Sequence, residues 1–151
     1  MAEDEMRGWT KERIQSLAPR FVDELHRRGV QPSEIKNAAA LVSEALSNTI
    51  SDERGRWILG PHTESWVEYR FRTRDGKSLV VDRRIREVSG EHWVVDYKTS
   101  RHEGGESAAF LDRERERYAP QLEKYSETLE RARIGLYFPL LRGWREWRRE
   151  G

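Results

Sequence analysis

SLVVDRRIREVSGEHWVVDYKTS, residues 78–100, is the stretch whose reading decides the fold. Two short apolar runs each stop at an aspartate: Leu79-Val80-Val81 before Asp82, and Trp93-Val94-Val95 before Asp96. β-branched and aromatic residues bounded by turn formers read as strands, and Ser89-Gly90 between them reads as the turn of a hairpin. Strand side chains alternate, so Asp96 and Lys98 project from one face. Asp82, ending the neighbouring strand, reaches the same place. Two carboxylates and an ammonium converging at strand ends suggest a divalent-metal site for phosphate chemistry.

Working upstream, Trp66 to Arg74 alternates, with Val67, Tyr69 and Phe71 on the predicted inner face and Trp66, Glu68, Arg70, Arg72 and Arg74 outside. The arginine face reads either as solvated or as a nucleic-acid track. Asp75-Gly76-Lys77 is a tight-turn signal, so three strands form an antiparallel meander. Ser51 to His62 reads as a connector, with a turn at Asp52-Glu53-Arg54-Gly55 and a breaker at Gly60-Pro61. Before it, Ile14, Leu17, Phe21 and Leu25 recur at helical spacing after a candidate N-cap, Thr10, and Gly29 closes that helix. A second helix is expected from Ser33 as N-cap, with Ile35, Ala38, Ala39, Val42 and Leu46 as its stripe. Met1 to Met6 is acidic and expected to fray.

Downstream, Glu103-Gly104-Gly105-Glu106 predicts a flexible loop, and Ala108 to Arg117 a helix with a solvated charge run. Pro120 breaks it or starts a new turn. A further helix to Arg133 carries Leu122, Tyr125 and Leu129, and Gln121 and Tyr125 are neighbours on its surface. Ile134 to Phe138 reads as a last buried strand, ended by Pro139. Trp144 and Trp147, spaced i,i+3 among arginines, either cap the core or stack bases; the core reading is the preferred one.

Size and composition bound the function. The chain has 151 residues, which predicts one domain over 1–151, and it carries a net charge of only +1. Six tryptophans argue against disorder despite 36% charged residues. Without cysteine there is neither a disulfide framework nor a thiolate metal site. No signal peptide and no apolar run of membrane-spanning length is found, so a cytoplasmic protein with no membrane partner is expected. There is no P-loop, no Gly-x-Ser-x-Gly and no His-Glu-x-x-His, which counts against those nucleotide hydrolases, serine esterases and zincins.

Taken in order, helices, three-strand meander, helix and strand resemble the PD-(D/E)XK nuclease superfamily. VVDRRIREVSGEHWVVDYKTS, Tyr118-Ala119-Pro120-Gln121-Leu122-Glu123-Lys124-Tyr125 and Leu136-Tyr137-Phe138-Pro139 resemble the C-terminal nuclease domain of RecB and AddA type helicase-nucleases, the exonuclease V β-subunit group. The resemblance spans Trp9 to Trp147. It implies an α/β fold with a restriction-endonuclease-like core, and magnesium- or manganese-dependent hydrolysis of DNA phosphodiesters in DNA repair and recombination. The catalytic residues would be Asp82, Asp96 and Lys98. The metal would be held by Asp82, Asp96 and the backbone carbonyl of Tyr97, with Lys98 orienting or deprotonating the attacking water. Gln121, Tyr125 and Glu68 would support the site. The partners implied are DNA, single-stranded, and a helicase domain or partner subunit of a RecBCD- or AddAB-like complex; no DNA-binding residue is assigned. Two departures stand out. Val80 replaces the family's glycine two residues before Asp82, and no Gly-Thr-x-x-His-like segment carries the family's upstream metal-binding histidine. An alternative reading follows: a catalytically weak or inactive module of nuclease ancestry that binds DNA or a partner.

Overall fold

The protein is described by a computed structural model covering residues 10–72, 75–100, 106–127, 129 and 131–149, the side chains of Phe71, Ser126 and Glu127 excepted. The expectations for Met1 to Met6, for Arg74 and for Glu103-Gly104-Gly105 therefore lie outside the described residues. The chain divides into two compact units, Met1–Pro61 and His62–Gly151.

The first unit is helical. Helix α1, Lys11–Arg27, is capped by Thr10, whose hydroxyl oxygen accepts the Arg13 amide at 3.1 Å. At its other end Gly29 has φ +84°, its amide bonds to His26 O, and the Val30 amide reaches back to Leu25 O. These paired bonds form a Schellman cap, and the left-handed φ is why glycine stands there. Helix α2, Pro32–Ser51, begins two residues earlier than its sequence predicts: Gln31, not Ser33, is the N-cap and Pro32 the first helical residue. Proline's fixed φ and missing N–H suit that position, which leaves Ser33 inside the first turn. The connector is also more ordered than its turn signal suggests. Asp52 accepts the Gly55 amide at 3.1 Å and so caps a short helix α3, Glu53–Leu59. A Cβ on Gly55 would lie 2.2 Å from Thr49 O, so only glycine lets α3 turn back this tightly on the end of α2.

The second unit is a five-stranded sheet, mostly antiparallel, in the order β1-β2-β3-β4-β5. Its strands are β1 (Glu64–Arg72), β2 (Ser78–Arg86), β3 (His92–Tyr97), β4 (Arg133–Phe138) and β5 (Gly143–Arg148). The predicted meander is β1-β2-β3, antiparallel throughout, with Gly76 and Gly90 at positive φ in its turns. Strand β4 then pairs parallel to β3, and the connection runs through helix α4, Ser107–Leu122. With four helices in all among the described residues, the protein is of mixed α/β class.

Helix α4 runs through Pro120 rather than stopping before it. The ring forfeits one ladder hydrogen bond, but only two helical residues follow it before the chain tightens into a 3₁₀ turn at Glu123–Glu127. Leu111 and Leu122 of α4 pack on Val94, Ile134, Leu136, Phe138 and Trp147. Each fully buried side chain of that size contributes about 1.5–3 kcal/mol.

The tail after Pro139 is a strand, so the helical i,i+3 spacing of its tryptophans does not apply. Three residues apart on a strand, they face opposite sides. Trp147 joins the α4 side, with the Arg115 guanidinium 5.3 Å from its ring. Trp144 lies on the other side, 5.9 Å from Trp93 and 6.4 Å from Tyr137. Gly135 makes room for it, since a Cβ there would sit 2.1 Å from the Trp144 ring.

Candidate functional site

The site forms where β2 parts from β3. Their ladder runs from Arg86↔His92 to Arg83↔Val95 and stops there. At the next amide, Tyr97 N donates not to a backbone carbonyl but to Asp82 Oδ2, at 2.7 Å. The other edge of β3 stays paired: Tyr97 is in register with Tyr137, and the Lys98 amide donates to Tyr137 O at 2.9 Å. Asp82 therefore bridges a fork between strands, and the end of β3 is held from both sides.

The Asp96 carboxyl lies within hydrogen-bonding reach of the Asp82 carboxyl. Lys98 Nζ is 2.8 Å from Asp96 Oδ2, with the two side chains 23% and 14% exposed. The same ammonium stands over the ring of Tyr118 on α4, 4.0 Å from its centroid. Tyr125 seals the neighbouring edge by donating its hydroxyl to Val80 O at 2.8 Å.

Charge follows from this crowding. The Asp82 pKa is raised from 3.8 to about 6, first by burial and then by its hydrogen bond to, and repulsion from, Asp96. The Tyr97 amide and Lys98 pull the other way without overcoming burial. Burial, then the negative field of Asp96 and Asp82, pushes the Tyr125 hydroxyl up to about 12, so it stays a neutral donor.

A kink in β1 lies opposite the fork. Glu68 has φ +51°, and the β1–β2 pairing skips it, passing from Val67↔Arg83 to Tyr69↔Val81. The strict alternation predicted for this strand is broken there. Val67, expected inside, is 70% exposed. Trp66, expected outside, meets Tyr69 edge-on with ring centroids 5.7 Å apart. Strand β2 shifts in step. Arg84 shares a face with Val94 by register, yet Val81, three residues away, packs in the Val94 cluster with Leu79 and Tyr69 beside it. Both strands change face at the Glu68 and Asp82 level, and this shift accompanies the Asp82 carboxyl's position between the strands.

Of the residues singled out from sequence, Asp82, Asp96 and Lys98 are brought together, and Tyr97 and Tyr125 adjoin them. Gln121 is exposed near the end of α4 and takes no part in these contacts. Glu68 is exposed on its kink, and among the described residues no group of three His, Cys, Asp or Glu side chains could hold a metal ion. Tyr118 is expected from sequence only as a member of the helical stripe with Leu122, Tyr125 and Leu129, not as a site residue. Its signal is faint, because only the fold shows that this ring meets Lys98.

The site offers carboxyl oxygens from two residues. Each carboxyl retains lone pairs beyond the Tyr97 and Lys98 contacts, the oxygen chemistry that a hard divalent cation would require. No model of a known protein family matches this sequence, and no curated protein matches it.

Proposed function

We propose that the protein hydrolyses DNA phosphodiesters with magnesium or manganese, on a restriction-endonuclease-like core of the PD-(D/E)XK type. The observation that carries this reading is the pair of adjoining carboxyls, Asp82 and Asp96, with Lys98 bound to the second of them. Asp82, Asp96 and the carbonyl of Tyr97 would hold the ion, which when bound would polarise a phosphate and acidify a water. Lys98 would hold an attacking water or offset charge building on a phosphate oxygen. Asp96 and the Tyr118 ring fix where that ammonium points. Tyr125 anchors the β2 backbone beside the site, keeping the carboxyl of Asp82 in place. A single-stranded substrate, supplied by a helicase domain or partner subunit, fits the resemblance to RecB and AddA type nucleases.

The test is cleavage of single-stranded DNA with added Mn²⁺. Asp96→Ala and Lys98→Ala should each lower the rate at least about a hundredfold, the scale on which positioned acid–base and electrostatic groups act. Undiminished cleavage by either variant would exclude the site.

A second reading is a module of nuclease ancestry that binds DNA or a partner without cutting. The two-carboxylate set, with no third acid or histidine joining it among the described residues, favours it. Titration calorimetry with Mn²⁺ separates the two: heat of binding abolished by Asp82→Asn supports the enzyme, and no heat with no cleavage supports the binding module.

A further inference from the structure

Two residues beyond Asp82 on β2, Arg84 is held in an unusual way. Its guanidinium carbon lies 4.4 Å from the Trp66 ring centroid and 4.7 Å from that of Tyr69. The two rings form a corner, meeting at an interplanar angle of 65°. This corner exists because of the Glu68 kink, which brings residues three apart in β1 onto one face. Aromatic faces engage the flat side of a guanidinium and leave its N–H edge directed outward in its own plane. Arg84 makes no ion pair among the described residues, and its Nε is out of solvent without a hydrogen-bond partner. A buried donor without a partner is costly and asks for an acceptor. The Nε atoms of Arg83 and Arg86 are likewise out of solvent without a hydrogen-bond partner, but Arg86, next on the same face, is ion-paired with Glu64 at 3.1 Å.

Two arginines and one glutamate, Arg84, Arg86 and Glu64, stand near His92. His92, which pairs with Arg86 in register, has its pKa lowered by burial first and then by Arg84 and Arg86. Along a strand two residues span about 7 Å. An anion on Arg84 would thus sit one short step from the acidic pair.

We propose that Arg84, braced by Trp66 and Tyr69, is a phosphate-binding residue that grips the backbone of single-stranded DNA beside the Asp82–Asp96 site. The identification of the strand as DNA rests on the nuclease reading; the anion site rests on the arginine and its aromatic corner. A bidentate grip on two phosphate oxygens uses the fork that Lys cannot supply.

The experiment is fluorescence anisotropy of a labelled oligothymidylate in EDTA, where no cleavage occurs, over a series of salt concentrations. Arg84→Gln is expected to raise Kd about tenfold and to reduce the slope of log K against log salt by about 0.7, one phosphate contact on a single strand. Arg27→Gln, in the first unit and beside Glu24, should change neither. Wild-type affinity and slope in Arg84→Gln would overturn the proposal, as would a wild-type protein that fails to bind the strand at low salt. If Arg84→Gln melts below assay temperature, Arg84→Lys carries the test: weakened binding at an unchanged slope supports the fork, and wild-type affinity sinks it. Cleavage results bear only on the nuclease reading. An Asp96→Ala protein that still cuts would end that reading and leave the anisotropy result standing.

Discussion

Asp82 shows how a single side chain couples stability to pH. Its folded pKa, about 6, lies above the ordinary 3.8, so the native state holds a proton more tightly than the unfolded chain. Stability from this group is therefore fully present below about pH 4 and is lost as pH rises through about 6. Asp82→Asn keeps the shape and removes the charge. It should melt a few degrees higher than wild type at pH 8 and show a flatter decline in melting temperature between pH 4 and 7. A variant with an unchanged slope would show that the crowding of Asp82 and Asp96 is not felt. Tyr125→Phe is the complementary case: it leaves Val80 O without its donor and should cost about 0.5–1.5 kcal/mol by denaturant titration. At this scale the sequence was legible where residues are close along the chain. Asp96 and Lys98 share a face because they are two apart, and the 2.8 Å ion pair follows. The Tyr118 contact and the Glu68 conformation were not legible. The first depends on a helix that crosses over from elsewhere in the chain, and the second is a strained backbone state that no residue preference signals in a glutamate.

Elements were read well where a turn former fixed them. Gly29, Gly76 and Gly90 all take positive φ, and each ends or joins the elements predicted around it. They were misread where one periodicity imitated another. GWREWR puts its tryptophans at helical spacing; the preferred core reading holds for Trp147, yet an edge strand pairing with β4 sends the two to opposite faces. Likewise Val67 belongs to an alternating run, but the kink at Glu68 turns it outward. The close approach of β4 and β5 makes a sharp test. Gly135→Ala would drive a methyl into the Trp144 ring, and neither strand backbone nor packed indole can retreat far. A loss of at least about 1–3 kcal/mol is expected in chemical denaturation, the range for forced overpacking. Asp52→Ala, removing the cap of α3, should cost about 1 kcal/mol in the same measurement.

For the molecule as a whole, the chain's near-neutral charge hides local order: clustered acids at the fork and cations beside them on the same sheet. No described helix is long and apolar enough to cross a membrane. Protection should follow the sheet order. Amides of β3 and β4, paired on both edges, should exchange with solvent more slowly than those of β1 and β5, which have one partner each. Faster exchange in β3 than in β1 would contradict this topology. The parallel pairing also has a consequence in time. The β2–β3 hairpin is local and can form as soon as it is made, but the Lys98 amide waits for Tyr137, which the chain delivers only after α4 has crossed over. As the ribosome releases the protein, the hairpin carrying both acids comes first, while the Tyr125 and Tyr137 contacts that hold Asp82 and Lys98 come later. Anchoring of the Lys98 backbone is thus a late event of folding, gained only when the fourth strand closes.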